Sequence, residues 1–69
     1  MKIKVNNEYQ EFDGEITVSE LLTKNNVEMP DMVSVQLNGE FVKRDNFSST
    51  SLTDQDEINF LYFLGGGNF

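Results

Sequence analysis

The stretch Ile16 to Val27, ITVSELLTKNNV, carries a helix pattern with its own start and stop signals. Thr17 stands at an N-cap position and Glu20 follows three residues later, so each side chain can satisfy a backbone N–H of the first turn. Val18, Leu21 and Leu22 fall on one face at spacings of three and four. Lys24 suits the negative end of the helix dipole. Asn25-Asn26 closes the helix, because asparagine tolerates a left-handed cap, and Pro30 blocks any continuation. A helix of about two to three turns does not persist alone in water, so its apolar face requires a sheet to pack on.

The flanking segments supply that sheet. Met1, Ile3 and Val5 alternate with Lys2 and Lys4, the period of a half-buried strand. Asn6-Asn7 fits a tight hairpin turn, since both residues tolerate positive φ. Tyr9 to Phe12 forms the returning strand, and Asp13-Gly14 breaks it. Val33, Val35 and Leu37 alternate as a third strand. Asn38-Gly39 is the strongest hairpin signal in the chain, leading to a fourth strand from Phe41-Val42. Arg44 to Thr53 is irregular and polar, with Phe47 and Leu52 placed to pin it to the core. The run Ser48 to Ser51 suits a loop whose hydroxyls satisfy backbone groups. Thr53 to Asp56 is a turn, and Glu57 to Leu64 is the last and most apolar strand. The order is β-β-α-β-β-β. The first and last strands are not joined by a hairpin, so they can lie side by side and parallel. The fold class expected is α+β: a ubiquitin-like β-grasp, with a mixed five-stranded sheet and one main helix on one face. Residues 1–64 form that domain, and residues 65–69 form a flexible glycine-rich tail with a two-residue extension.

Composition narrows the function. The 69 residues make one domain, with a narrow stability margin for its size. With 38% hydrophobic residues and a single proline, the chain reads as folded rather than disordered. It has no cysteine and no histidine. Disulfides, thiolate metal sites, a cysteine nucleophile and the usual general base are therefore all excluded. The net charge of −7 sets 12 acids against five bases, Lys2, Lys4, Lys24, Lys43 and Arg44. That balance argues against nucleic acid or anionic lipid as a partner and suits either solubility or a basic partner. No apolar run approaches the roughly 20 residues of a membrane span, and no signal-peptide core is visible, so the expected location is the cytoplasm. Asp54 and Asp56 are more simply turn residues than an acid–base pair. Glu20 is better explained by capping, and Arg44 by a structural role in its loop.

The last strand and its tail hold the remaining information. Ile58, Phe60, Tyr62 and Leu64 share one face, and Asn59, Leu61 and Phe63 share the other. One face meets the helix. The other, carrying Leu61 and Phe63, is either a surface with scattered apolar residues or a docking patch for a partner protein. Gly65-Gly66-Gly67 follows. A phosphate-binding nest needs a helix after the glycines, and only Asn68 and Phe69 remain. The glycines are then either a plain flexible terminus or a side-chain-free thread that enters a narrow channel and presents a carboxylate to another enzyme.

Taken together, MKIKVNNE, TVSELL, VQLNGEFVKRDNF and LTDQDEINFLYFLGGG make the chain resemble the ThiS family of sulfur carriers of thiamine biosynthesis, and more distantly the MoaD carriers of molybdopterin synthesis. The likeness covers nearly the whole chain. Asn38, Gly39, Val42 and Arg44 resemble the family's middle motif. Leu52, Asp54 and Asp56 resemble its L-x-D-G-D turn, with Gln55 replacing glycine at a tolerant position. The resemblance implies a carrier or co-substrate, not an enzyme, and no bound cofactor. An E1-like adenylating enzyme (ThiF/MoeB type) uses ATP to activate the C-terminal glycine. A sulfur donor converts it to a thiocarboxylate, and a thiazole synthase (ThiG type) or another acceptor takes the sulfur. By position, Gly67 bears the sulfur, Gly65 and Gly66 form the arm, and Leu61, Phe63 and Leu64 dock. Such carriers end in a free Gly-Gly carboxylate, whereas here Asn68-Phe69 follows. The expectation is a precursor from which a processing protease removes both residues. The pair could instead be a cloning remnant, or mark a copy that kept the fold and lost the carrier role. The other functions open are a ubiquitin-like interaction module without sulfur chemistry, or a carrier for molybdopterin, cysteine or methionine sulfuration.

Overall fold

The computed structural model describes residues 1–27 and 32–62. Five strands and one α-helix follow the expected order: β1 (Lys2–Val5), β2 (Glu8–Glu11), α1 (Val18–Lys24), β3 (Val33–Leu37), β4 (Glu40–Val42) and β5 (Glu57–Tyr62), with a 3₁₀ turn at Arg44–Asn46. They form one mixed sheet in the order β2-β1-β5-β3-β4. The first strand pairs with the last in parallel, through Lys4 with Glu57 and Val5 with Ile58. The remaining ladders are antiparallel. With one helix on one face, this is the ubiquitin-like β-grasp. Pro30, Phe63, Leu64, the proposed division at residues 64 and 65, and the tail itself lie outside the described residues.

Both short hairpins form as their asparagines dictate. Val5 pairs with Glu8 around Asn6-Asn7, and Leu37 pairs with Glu40 around Asn38-Gly39. All four turn residues have positive φ, at 48°, 71°, 51° and 88°. Two left-handed residues in succession mark the type I′ turn, whose twist matches that of the strands it joins.

The helix starts and stops as its sequence encodes. Glu20 N–H donates to Thr17 Oγ1 at 3.1 Å, and Thr17 N–H donates to Glu20 Oε1 at 2.9 Å, a complete capping box. Asn25 is the C-cap, and Asn26 takes the left-handed conformation at φ 62°. The Ser/Thr loop does more than the sequence suggests. Carbonyls of Thr50 and Phe47 accept from the Val18 and Ser19 N–H groups at 3.0 and 2.9 Å, so the loop satisfies the first free donors of the helix. The loop holds its own shape through Thr50 Oγ1, which donates to the Asn46 carbonyl at 2.7 Å.

The core lies between α1 and the sheet. Ile3 and Val5, Val33 and Val35, and Ile58 and Phe60 face Val18, Leu21 and Leu22, with Phe47 and Leu52 sealing the loop side. Burial at period two in the strands and at three-four spacing in the helix is what joins the two layers.

One turn departs from expectation. Gln55 sits at φ 72°. The left-handed region costs a non-glycine residue about 1–2 kcal/mol, so this position favours glycine rather than being indifferent to it. The turn is held in other ways. Gln55 N–H donates to the Lys2 carbonyl at 2.7 Å, and Asp54 Oδ1 accepts from Lys2 N–H at 2.7 Å. The Lys2 N–H, aided by the Gln55 side-chain amide, holds the Asp54 carboxyl below the usual aspartate range. A lowered folded-state pKa means that this contribution to stability is complete above the ordinary aspartate range. It is lost as the pH falls through the lowered value.

Two stability changes follow. Gln55→Gly relieves the left-handed strain and keeps the backbone bond to Lys2. Set against the greater unfolded-state freedom of glycine, it should stabilise the domain by about 0.5–1 kcal/mol in urea unfolding. Leu21→Ala removes a fully buried helix side chain and should cost about 3 kcal/mol. A destabilisation of that size lowers the thermal midpoint by more than about 10 °C in a domain this small.

Candidate functional site

Strand β5 delivers the tail, so the candidate site begins at its root. The strand occupies the middle of the sheet, between β1 and β3. Its even-numbered residues Ile58 and Phe60 are buried against the helix side. Its odd-numbered residues therefore face away from the helix, and Leu61 lies opposite Ser34 on that outer face, 47% exposed. Of the three docking residues expected from the sequence, the structure thus places Leu61 at the surface. Phe63 and Leu64 lie outside the described residues, as do Gly65, Gly66, Gly67, Asn68 and Phe69.

The outer face holds two aromatic rings that the sequence reading did not single out. Phe41 pairs with Gln36, which in turn pairs with Asn59, and its ring is 66% exposed. Tyr9 pairs with Lys4 and is 60% exposed. The Lys2 and Lys4 ammonium groups stand 5.3 and 5.9 Å from the Tyr9 ring centroid, within cation–π reach. Counting outward from the Asn38-Gly39 and Asn6-Asn7 turns, with opposite residues sharing a face, would have found both rings. The outer face therefore combines Leu61, Phe41 and Tyr9 with the ammonium groups of β1, in a chain whose net charge is −7.

The polar motifs hold the scaffold. Asp56 Oδ2 accepts from Thr53 N–H at 2.8 Å, and Asp56 Oδ1 accepts from Asn38 Nδ2 at 3.0 Å. Asn38 Oδ1 accepts from Glu57 N–H at 2.9 Å. The Asn-Gly hairpin and the acidic turn are thus hydrogen-bonded to each other, and together they set where β5 begins. Asp54 and Asp56 are engaged with backbone and amide donors, in keeping with their reading as turn residues. Arg44 opens the 3₁₀ turn, and its carbonyl accepts from Phe47 N–H at 3.1 Å. Among the described residues no group of three or more acidic side chains could hold a metal ion. No helix among them is long and apolar enough to cross a membrane. A shallow depression of about 300 Å³ between the end of β2 and α1 is lined by Glu11, Asp13, Glu15 and Glu20 together with Lys24, and no β5 residue reaches it.

Comparison with known proteins agrees with this architecture. The chain is similar to a crystal structure of a thiamine biosynthesis protein (ThiS) from Geobacter metallireducens, with 40% identity and a TM-score of 0.83, covering 97% of this chain and all of that one. It is similar also to a solution NMR structure of a thiamine biosynthesis protein from Geobacter metallireducens, with 39% identity and a TM-score of 0.79, covering all of this chain and 91% of that one. A thiazole synthase of Paramagnetospirillum magneticum is 31% identical over 68 residues, which make up 99% of this chain and 21% of that protein. The chain therefore spans about a fifth of the length of that relative. The ThiS family model matches residues 3–67, from β1 through the third glycine of the tail, and the chain belongs to the ThiS family.

Proposed function

We propose that this protein is a sulfur carrier of thiamine biosynthesis, bearing sulfur as a thiocarboxylate on Gly67. The observation that carries this reading is the reach of the family match, which includes all three glycines and runs through Gly67. The absence of cysteine from these 69 residues fits the same chemistry. A persulfide carrier needs a thiol side chain, whereas a thiocarboxylate needs only a chain terminus.

The reaction is carried out by partners. Hydrolysis of the Gly67–Asn68 bond by a processing protease frees the Gly67 carboxylate. An E1-like adenylating enzyme then lets a carboxylate oxygen attack the α-phosphorus of ATP, and pyrophosphate leaves. Bisulfide supplied by the sulfur donor attacks the resulting acyl adenylate at its carbonyl carbon, AMP leaves, and loss of the thiol proton gives the thiocarboxylate. Adenylation is needed because a free carboxylate has no good leaving group. The thiocarboxylate then passes its sulfur to a thiazole synthase. That choice of acceptor is supported by the thiazole synthase that itself contains a segment similar to nearly all of this chain. The carrier contributes docking through Leu61, Phe63 and Leu64 and reach through Gly65 and Gly66, whose lack of Cβ atoms suits a narrow channel. ATP binds the partner.

Intact-mass measurement tests the chemistry. A Gly67-terminated chain incubated with adenylating enzyme, ATP and a sulfur donor should gain the mass of one oxygen exchanged for sulfur. The 69-residue chain should not. Loading of the longer chain without loss of Asn68-Phe69 would overturn the trimming step, and no loading of the shorter chain would overturn the carrier reading.

Docking has its own test. Leu61→Asp places a charge on an exposed position of the outer face. It should raise the KM for carrier in the adenylation reaction by about tenfold, the loss expected of one apolar anchor. Its urea midpoint should stay close to that of the unaltered protein.

A further inference from the structure

Strand β5 loses its β1 neighbour before it reaches the tail. The parallel ladder runs through Lys4 with Glu57 and Val5 with Ile58. At Asn6 the chain turns away into the hairpin. The Asn6 backbone still donates to the Ile58 carbonyl, at 3.0 Å. The next N–H on that edge of β5 belongs to Phe60, and it donates to the side-chain oxygen Oδ1 of Asn6 at 2.8 Å. One residue thus makes the last backbone contact of the ladder and then imitates the following one with its amide. On its other edge β5 keeps β3 as far as the pair Val33 with Tyr62. Asn6 therefore carries two-edged support of β5 from Ile58 up to Phe60.

We propose that Asn6 is a positioning residue for the C-terminal arm. Its side chain pins the β1-side edge of β5 at Phe60 and so fixes the strand from which the chain continues towards the glycines. The functional consequence rests on the carrier reading, while the pinning is a property of the domain itself. A carrier docked through its sheet must bring one distant atom into the partner's site. The less free chain there is between the docked surface and that atom, the higher the atom's effective concentration there. β3 still holds the other edge of β5 at Leu61 and Tyr62, so loosening the β1 edge keeps Leu61 presented for docking and lowers the fraction of docked carriers with the carboxylate correctly placed.

The geometry supplies a clean pair of variants. Asn6 has φ 48°, so Asn6→Gly keeps the left-handed turn and removes only the acceptor. Asn6→Asp keeps both an acceptor oxygen and tolerance of that conformation. Amide hydrogen exchange is measured by NMR on the 69-residue chain, and steady-state adenylation on the Gly67-terminated chain. Asn6→Gly should speed exchange of the Phe60 amide about fivefold, the size of one neutral hydrogen bond, and leave the Leu21 and Val35 amides unchanged. It should lower kcat severalfold at unchanged KM for the carrier, and Asn6→Asp should restore both. Unchanged protection at Phe60, faster exchange throughout the domain, an unchanged kcat or failure of Asn6→Asp to rescue would each overturn the proposal. If the unaltered Gly67-terminated chain is not adenylated at all, the carrier reading falls, and the exchange pattern alone decides whether Asn6 pins the strand.

Discussion

The parallel contact between β1 and β5 is the constraint on which the rest of the molecule depends. It joins residues as far as 54 positions apart, and the chain between them supplies the helix, the β3–β4 hairpin and the loop that caps the helix. The ladder proper has two residue pairs, too few to define a register securely. Side chains and turn backbone lengthen it at both ends. Asp54 Oδ1 and the Gln55 N–H engage both backbone groups of Lys2 at one end, and Asn6 Oδ1 holds Phe60 at the other. Acidic-turn and hairpin residues thus do the work of additional strand length in a chain too short to provide it.

This arrangement explains where sequence reading succeeded and where it stopped. Period-two alternation identified which residues of β1 and β3 face the core, because a strand with one buried face has no other stable pattern. The capping box fixed the helix start, and paired left-handed asparagines or Asn-Gly fixed two hairpins. All of these are local, and each residue's preference agrees with its neighbours'. The long-range polar contacts were not legible. Nothing in the sequence around Asn38 announces that its amide joins Asp56 to the N–H of Glu57, or that loop carbonyls at Phe47 and Thr50 meet the helix N-terminus. Such bonds exist only once the fold brings distant segments together.

Of the site residues expected from the sequence, only Leu61 lies among the described residues. The three glycines and the residues after them drew attention because their chemistry is unusual, and the alternation in β5 placed Leu61 on the outer face. The aromatic rings of Phe41 and Tyr9 went unnoticed because each sits in a short strand, of three and four residues. A strand that short shows little alternation by itself. Its facing becomes readable only from its partner, through the turn that joins them. Partner pairing is therefore the stronger guide for edge strands in small sheets, and the period of the strand for central ones.

On the proposed carrier reading two demands oppose each other, a rigid surface for partners to recognise and a terminus that enters their active sites. Placing β5 in the middle of the sheet reconciles them. The side chains of Ile58 and Phe60 are locked in the core, Leu61 is on display, and the glycines begin three residues after Tyr62 in the sequence. Had the tail followed an edge strand, that strand would have had one neighbour along its whole length, instead of two as far as Phe60, and would fray with the edge. The central strand needs both flanking ladders in place, which ties the geometry of the tail's root to the folding of the whole domain. In this fold the first strand and β5 are brought together, and Asn6 shows the consequence: a turn residue near the start of the chain holds, through a side-chain hydrogen bond, the strand that precedes the glycines in the sequence.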